Sequence, residues 1–235
     1  MPLIVCQMTA ATVSGRVELR DSRDPAVRKK MDFSGVVISL KPVNGAVPVR
    51  LGNARARMIQ KNKTFTPHVL AITVGTRVAF PNLDPIFHNA FSSYSGQIFD
   101  VGLYPPGSTR AVHFTREGVV RVFCNIHSSM SAVIVVLATP YFETTNRGGL
   151  FEIRDVPPGD YVMYVFEERA SDATLNGLER RITVPASNLE LPTIPVSESG
   201  YLPIPHKNKY GRDYRKETDD HTIYPAVRAA GSRAK

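Results

Sequence analysis

The sequence has few of the features that mark a membrane-spanning or helical protein. No run of eighteen or more apolar residues occurs, so we expect no membrane-spanning helix. Only two cysteines, Cys6 and Cys124, are present, and this count says little about the redox compartment. Amphipathic helical periodicity is nearly absent, yet hydrophobic residues make up 43% of the chain. These properties favour a globular protein built from β-strands.

The charge balance is basic, with 29 Lys and Arg against 21 Asp and Glu and a formal net charge of +8. Such a balance raises nucleic acid as a partner. However, the basic residues are scattered, and neither a recognition helix nor zinc-finger spacing is present. We therefore expect no nucleic-acid partner. A positive surface would equally steer an acidic protein partner, or would simply be a solvated surface.

The first eleven residues, MPLIVCQMTAA, are apolar and end in small side chains, like the second half of a secretory signal. They lack a positively charged start and are short for such a signal. Our interpretation is an exported, periplasmic protein whose signal is truncated in this sequence. The alternative is an unstructured cytoplasmic N-terminus.

One short segment, CNIHSSM at residues 124–130, carries a thiol, an imidazole and a thioether. A further imidazole, His88, lies 36 residues before Cys124. Soft sulfur ligands combined with imidazole favour copper, and two His with one Cys and a weak axial Met is the ligand set of electron-transfer copper sites. The sequence therefore predicts one copper ion held by His88, Cys124, His127 and Met130.

The surrounding pattern places these side chains at strand ends. Residues 119–124, VVRVFC, read as a strand in which Val120, Val122 and Cys124 share one face. The β-branched run SAVIVVL at 131–137 predicts a strand buried on both faces. Upstream, 70–74 and 77–80 read as strands, and a loop rich in turn formers leads from the second to His88. Three ligands thus lie on one strand-to-strand loop, and the fourth lies just past a strand end.

Residues 53–138 resemble a cupredoxin of the plastocyanin and amicyanin kind, such as the bacterial proteins labelled methylamine utilization proteins. The resemblance rests on GTRVAFPN, the pair His88-Asn89 and FCNIHSSM, whose ligand spacing is that of amicyanin. It implies a Greek-key β-sandwich with a type 1 copper that transfers single electrons. It also implies that the residue after the first His, here Asn89, joins the two ligand loops and bonds the thiolate through its backbone N–H. His127 would be the exposed edge through which electrons leave. Ile126 replaces the family's Pro.

Each ligand candidate also has an ordinary interpretation when it is taken alone. A buried Cys is commonly an inert hydrophobe, a lone His a hydrogen-bonding residue, and a Met a core filler. The combined spacing outweighs these interpretations. Among the other histidines, His68 is interpreted as a solvated strand-edge residue, with a role at the site as the alternative. His113 is expected on an exposed strand face, and His206 and His221 in a polar tail without a specific role.

The flanking regions predict a second, smaller sandwich. Strands are expected at 13–19 and 35–40, joined by a charged loop, and again at 149–153 and 161–166. The segments GLFEI and VPPGDY resemble the carboxypeptidase regulatory-like, transthyretin-type β-sandwich. We therefore predict an all-β protein in which this sandwich (12–50 and 140–190) receives the copper domain (53–138) as an insertion, because surface loops accept inserted segments at low entropic cost. The sandwich would serve as a scaffold or bind a partner.

Residues 200–235 are predicted to form a disordered basic tail, since few large aliphatic side chains are present. The alternative is that the tyrosines of this tail dock on a partner. They are Tyr201, Tyr210, Tyr214 and Tyr224.

Three functions of different classes are compatible with the sequence. The favoured one is a mononuclear electron carrier with a redox protein partner of unknown identity. The alternative is a copper-handling protein for delivery or storage. An enzyme that uses Cys124 as a nucleophile and a His as its base gives no reason for Met130, so no enzymatic activity is expected. The sequence does not indicate an oligomeric state.

Overall fold

The computed structural model describes residues 10–44, 54–93, 96–201 and 206–214. These residues form eighteen strands and two short helices, so the predicted all-β class is confirmed. Within these ranges no helix is long and apolar enough to cross a membrane. In chain order the elements are β1 (Ala11–Arg20), α1 (Pro25–Lys30), β2 (Val37–Pro42), β3 (Arg55–Arg57), β4 (Ile59–Lys61), β5 (Thr64–Thr66), β6 (Val69–Thr73), β7 (Arg77–Pro81), β8 (Phe91–Ser92), β9 (Phe99–Asp100), β10 (Thr109–His113), β11 (Gly118–Phe123), β12 (Ser131–Leu137), β13 (Phe142–Thr144), β14 (Leu150–Val156), β15 (Gly159–Phe166), α2 (Asp172–Leu178), β16 (Arg180–Val184), β17 (Leu189–Glu190) and β18 (Ile194–Ser197).

The first sandwich is built from the two ends of the described chain. One of its sheets has the order β14-β1-β17, with β18 pairing along the rest of β1, and the other has the order β13-β2-β15-β16. Val13, Val17 and Leu19 of β1 are buried because alternate residues of a strand point to the same face. Gly15 lies between them, and a Cβ there would meet the Phe151 ring at 2.8 Å. A glycine at this position therefore lets Phe151 pack against the backbone of β1.

The second sandwich is built from residues 55–137. A three-stranded sheet, β10-β7-β3, packs over a five-stranded sheet, β6-β12-β11-β8-β9, and β4 and β5 form a separate hairpin. The core between the two sheets includes the fully buried Phe80, Tyr104 and Phe114 together with Cys124 and Met130. The candidate ligands are therefore part of the hydrophobic core of this sandwich.

Strand β12 is buried on both faces, as its β-branched sequence predicts. Ile134 and its neighbours on one face belong to the core of the second sandwich. Val133 and Val135 on the other face pack with Val37 of β2, which lies in the first sandwich. The continuous apolar run of β12 is thus required because one face contacts the core around Cys124 and the other contacts the neighbouring sandwich.

The two cores alternate along the chain. The first takes side chains from residues 11–40 and 151–196, and the second from 58–136. Such an order is the one that an inserted domain produces. The link at 45–53 lies outside the described residues. At the return link, the hydroxyl of Thr139 donates to the Leu40 carbonyl at 2.7 Å. The insertion, the domain limits and the resemblance of the first sandwich to carboxypeptidase regulatory-like domains stay predictions.

Polar contacts also join the two sandwiches. Glu168, just after β15, accepts hydrogen bonds from His68 at 2.5 Å and from Arg121 at 3.3 Å. The hydrogen bond to Glu168 raises the pKa of His68 despite the opposing effect of burial. Burial would raise the pKa of Glu168, but the bond from His68 and the charges of His68 and Arg121 lower it on balance. His68 is therefore a residue of the interface between the sandwiches, and it is not part of the cluster of candidate ligands.

Replacing His68 with glutamine is expected to remove part of the alkaline decline in stability. Because the folded-state pKa of His68 is raised, its contribution is complete below the unfolded value of about 6.5 and is lost as the pH rises through the folded value. The imidazole is 53% exposed, so the effect should stay below about 1 kcal/mol. The free energy of unfolding of the parent and the His68→Gln variant, from urea titrations at about pH 6 and pH 8.5, measures this contribution. Equal pH dependence in the two proteins would contradict the assignment. Burial raises the pKa of Glu167 to about 7. This group titrates in the parent and in the variant alike, so it does not affect the comparison.

Two predictions for the loops differ from the structure. The charged segment at 20–34 contains the helix α1, because Asp24 caps its N-terminus by accepting from the Ala26 N–H at 2.7 Å and Pro25 suits the first turn. The predicted disordered tail is the second case. Residues 202–205 and 215–235 lie outside the described residues, but residues 206–214 form turns that pack on the candidate ligand loop.

Candidate metal centre

The loop between β11 and β12 brings its candidate ligands inward through its own backbone. The Cys124 N–H donates to the Met130 carbonyl at 3.1 Å, and the Met130 N–H donates to the His127 carbonyl at 3.2 Å. These bonds close residues 124–130 into a tight turn. The side chains of Cys124, His127 and Met130 are 0%, 2% and 0% exposed. The segment 124–130 is called the ligand loop below.

His88 reaches the same place from a neighbouring loop. It forms a two-way backbone bridge with Tyr104, in which the His88 N–H donates at 3.2 Å and the Tyr104 N–H donates back at 2.9 Å. The Tyr104 hydroxyl is itself held in the core, because it donates to the Phe80 carbonyl at 2.8 Å. This anchoring fixes the backbone from which the His88 ring projects.

Three of the predicted ligands converge on one point. The Cys124 Sγ lies 3.8 Å from the His88 Nδ1 and 3.6 Å from the His127 Nδ1, and the three ligand atoms all lie within 4.8 Å of one another. An ion at about 2.0–2.3 Å from three atoms in a plane would separate sulfur from nitrogen by about 3.7 Å. The spacing therefore fits a single metal ion.

Met130 is the fourth predicted ligand. It is fully buried in the same core cluster as Cys124, and its backbone is bonded to both Cys124 and His127. The structure therefore places the thioether residue within the closed ligand loop, as a weak axial ligand would require.

The sulfur of Cys124 is surrounded by backbone N–H groups. Burial raises the pKa of the Cys124 thiol, and the N–H groups of Ile126, Asn89 and His127 partly oppose that rise. These donors would stabilise a thiolate by hydrogen bonding to its charged form. Burial thus disfavours a free thiolate at Cys124, whereas the surrounding N–H groups would stabilise a thiolate that is bound to a metal ion.

Asn89 connects the two loops that carry the ligands. Its side-chain oxygen accepts the Asn125 N–H at 3.1 Å, and its side-chain nitrogen donates to Asp100 at 2.7 Å. Its own backbone N–H faces the Cys124 sulfur. The position thus has both contacts that the cupredoxin resemblance implies for the residue after the first His.

Asp84 is a residue of the site that the sequence argument missed. Its carboxylate lies 2.7 Å from the His88 Nε2 and is 7% exposed. It also accepts the N–H groups of Asn62 at 2.6 Å and Lys63 at 2.9 Å. Burial alone would raise the pKa of Asp84, but these bonds and the one from His88 lower it on balance. A charged Asp84 favours a proton on Nε2, which leaves the Nδ1 lone pair directed at the Cys124 side.

The carboxylate–His88 pair had a weak signal in the sequence. Asp84 precedes His88 by four residues in NLDPIFH, within a loop that folds back on itself because the Asn82 side chain donates to the Ile86 carbonyl at 2.8 Å. Metal-ligating histidines commonly donate their second ring N–H to a carboxylate. That rule would have suggested Asp84.

The predicted exposed edge at His127 is wrong. The His127 side chain is buried at 2% exposure, and residues 206–214 contact its neighbours Asn125 and Ser128. His206, expected in a polar tail without a specific role, stacks its ring on Phe123 at 4.0 Å between centroids. His113 is exposed as expected, and His221 lies outside the described residues.

Part of this chain is similar to copper proteins of known structure. No protein-family model matches the chain, and no relative was found among curated proteins. Among solved structures, a novel purple cupredoxin from Nitrosopumilus maritimus is 25% identical, over 36% of this chain and 100% of that one, with a TM-score of 0.33. The Cu-containing nitrite reductase (NirK) from Thermus scotoductus SA-01 is 26% identical, over 41% of this chain and only 25% of that one, with a TM-score of 0.35. The P52G mutant of amicyanin, in a reduced Cu(I) form, is 15% identical, over 43% of this chain and 98% of that one, with a TM-score of 0.34.

Because these TM-scores are low, the functional proposal rests on the geometry of the site itself. Within the described ranges, one group of three or more His, Cys, Asp or Glu side chains is placed to hold a metal ion, and it consists of His88, Cys124 and His127.

Proposed function

We propose that the protein binds one copper ion and transfers single electrons between redox partner proteins. His88, Cys124 and His127 would hold the ion, and the thioether of Met130 would be a weaker fourth ligand. The observation that carries the proposal is the convergence of one sulfur and two imidazole nitrogens, with sulfur-to-nitrogen distances of 3.6 and 3.8 Å, inside an apolar core.

The ligand set favours copper over other metals. A thiolate and a thioether are soft ligands, and together with two imidazoles they suit copper. Structural zinc sites are closed by four Cys, His or carboxylate ligands, and the cluster offers three residues of those types. Zinc sites with three protein ligands keep an open position for water, whereas these three side chains are at most 2% exposed. Bound copper would supply a one-electron couple between Cu(II) and Cu(I).

The residues around the site would keep the ligands fixed during electron transfer. Asp84 holds the His88 ring, and Asn89 ties the His88 loop to the ligand loop. The backbone N–H groups near Cys124 stabilise the thiolate. Because the four ligand side chains are at most 2% exposed, water is kept away from them. A site that changes little between oxidation states transfers electrons quickly.

The wider setting belongs to the same proposal. A formal charge of +8 would increase the encounter rate with an acidic redox partner. Export to the periplasm would fit such a role. The first sandwich would act as a scaffold or partner-binding module. The burial of Cys124 and the raised pKa of its thiol support a non-enzymatic role, because a nucleophilic thiol must ionise and be reached by its substrate.

Addition of Cu(II) to the metal-free protein is expected to produce an intense visible charge-transfer band at one equivalent. The reason is the contact between a thiolate and Cu(II) in a site that excludes water. Visible absorption and paramagnetic resonance spectra measure the result. A colourless complex, or saturation at two equivalents, would contradict the proposed centre.

A copper-handling role for delivery or storage is the second candidate, and the burial of His127 favours it. An electron carrier commonly presents a ligand edge to its partner, whereas this edge is covered. The two roles differ in redox behaviour. A reversible couple with fast electron exchange supports the carrier, and an inaccessible couple with tight Cu(I) binding supports handling.

A further inference from the structure

The described residues 206–214 lie along the outside of the ligand loop. They contact the loop at three points and Phe123, the last residue of β11, at a fourth. The His206 ring stacks on Phe123, with centroids 4.0 Å apart and planes at 28°. The His206 Nε2 donates to the Ser128 carbonyl at 2.8 Å. The Tyr214 hydroxyl donates to the Cys124 carbonyl at 2.8 Å. The Lys209 N–H donates to the Asn125 side-chain oxygen at 2.9 Å.

The contacts of this segment also support one another. The Tyr214 hydroxyl oxygen lies 3.1 Å from the His206 Nδ1, and the two rings meet edge to face at 5.1 Å. The Lys209 ammonium binds the Asp100 carboxylate at 2.7 Å, and this carboxylate also accepts from the Asn89 side chain. The segment is therefore connected both to the ligand loop and to the bridge between the two loops.

We propose that residues 206–214 form a strap that closes the metal centre, and that His206 and Tyr214 are the residues that position it. The strap must detach before a solute can reach Cys124. Three facts support this inference. The strap contacts Phe123 and the ligand loop as far as Ser128. The four candidate ligand side chains are buried. The polar groups that the strap contacts include the carbonyl of Cys124 itself.

The inference does not depend on which metal the site binds. It concerns access to a buried thiol in the metal-free protein, so it can fail while the copper proposal holds, and the reverse is equally possible. For this reason the test uses the apo protein and a thiol reagent alone.

The test measures the rate at which iodoacetamide alkylates Cys124 in the full-length, metal-free protein with Cys6→Ser, which removes the other thiol. Tyr214→Phe deletes the hydroxyl that donates to Cys124, and His206→Ala deletes the ring on Phe123. We expect the double variant to react at least about tenfold faster, since the loss of roughly one to two neutral hydrogen bonds changes an opening equilibrium by about this factor.

Tyr210→Phe is the matched control. It removes a phenol hydroxyl from the same segment, but the Tyr210 side chain is 69% exposed, and its hydroxyl bonds the Lys209 side chain instead of the ligand loop. The Lys209 ammonium keeps its contact with Asp100 in this variant. Its alkylation rate should equal that of the parent. An unchanged rate in the double variant, or an equal acceleration by Tyr210→Phe, would overturn the proposal.

Amide hydrogen exchange separates opening of the strap from unfolding of the sandwich. In the double variant, amides of residues 125–128 should exchange faster while those of Val133 and Val135, in the buried strand β12, stay as protected as in the parent. Equal acceleration in β12 would mean that the substitutions loosen the whole sandwich, and the strap would then have no separate role.

Discussion

Replacing Cys124 with serine is expected to abolish the visible charge-transfer band of the copper-loaded protein completely. The band requires a thiolate bound to Cu(II), and a serine hydroxyl is a hard ligand that stays protonated at neutral pH. The N–H groups of Asn89, Ile126 and His127 that face the sulfur would not replace this function, because they stabilise charge on residue 124 without supplying a soft donor. Visible and paramagnetic resonance spectra after Cu(II) addition measure the loss.

Cys6→Ser is the control for that experiment. It removes the second cysteine of the chain, which lies outside the described residues, and should leave the band intact. Retention of the band in Cys124→Ser, or its loss in Cys6→Ser, would place the thiolate ligand elsewhere. Either outcome would refute the metal centre as it is described above.

Replacing Asp84 with asparagine is expected to weaken copper binding by about 10–100-fold, the usual cost of removing a hydrogen-bond partner from a metal-ligating histidine. The substituted amide would keep an oxygen near the His88 Nε2 but would lack the negative charge that favours a proton there. The Nδ1 lone pair would then be less basic and its direction less fixed. Competition with a chelator of known affinity measures the change.

Asp84 also accepts two backbone N–H groups, so loss of stability must be separated from loss of affinity. Asp32→Asn is a suitable control, since this carboxylate accepts from the Ser34 N–H and hydroxyl in the first sandwich. It should leave copper affinity unchanged. If Asp84→Asn lowers the thermal midpoint of the apo protein but not its copper affinity, Asp84 stabilises the fold and does not contribute to copper binding.

The strands that carry the ligands could be predicted because their hydrophobic pattern is local. The run at 131–137 is a strand buried on both faces, and alternation along β11 directs Val120 and Val122 to the same core as Cys124. Side-chain alternation needs no knowledge of distant contacts. The ligand loop was predictable for a similar reason, since three donor types within seven residues have few other uses.

Pairing between strands was less accessible from the sequence. Strands β6 and β7 are consecutive, yet β6 pairs with β12 and β7 with β10. The same holds for β14 and β15, which pair with β1 and β2. A short turn between two strands leaves open whether they form a hairpin or cross to the opposite sheet. Only the packing of the two faces decides between these arrangements.

The sequence by itself determined the all-β class and the set of donor side chains, because periodicity and residue type are properties of short segments. The tertiary structure decided three further features. They are the Asp84 carboxylate at His88, the burial of His127, and the course of residues 206–214 over the ligand loop. Each depends on contacts between segments distant in the chain or on how a loop folds back. The composition of residues 206–214 did not indicate that they pack on the ligand loop. Two aromatic contacts and a few hydrogen bonds fix this polar segment, although it has no hydrophobic core of its own.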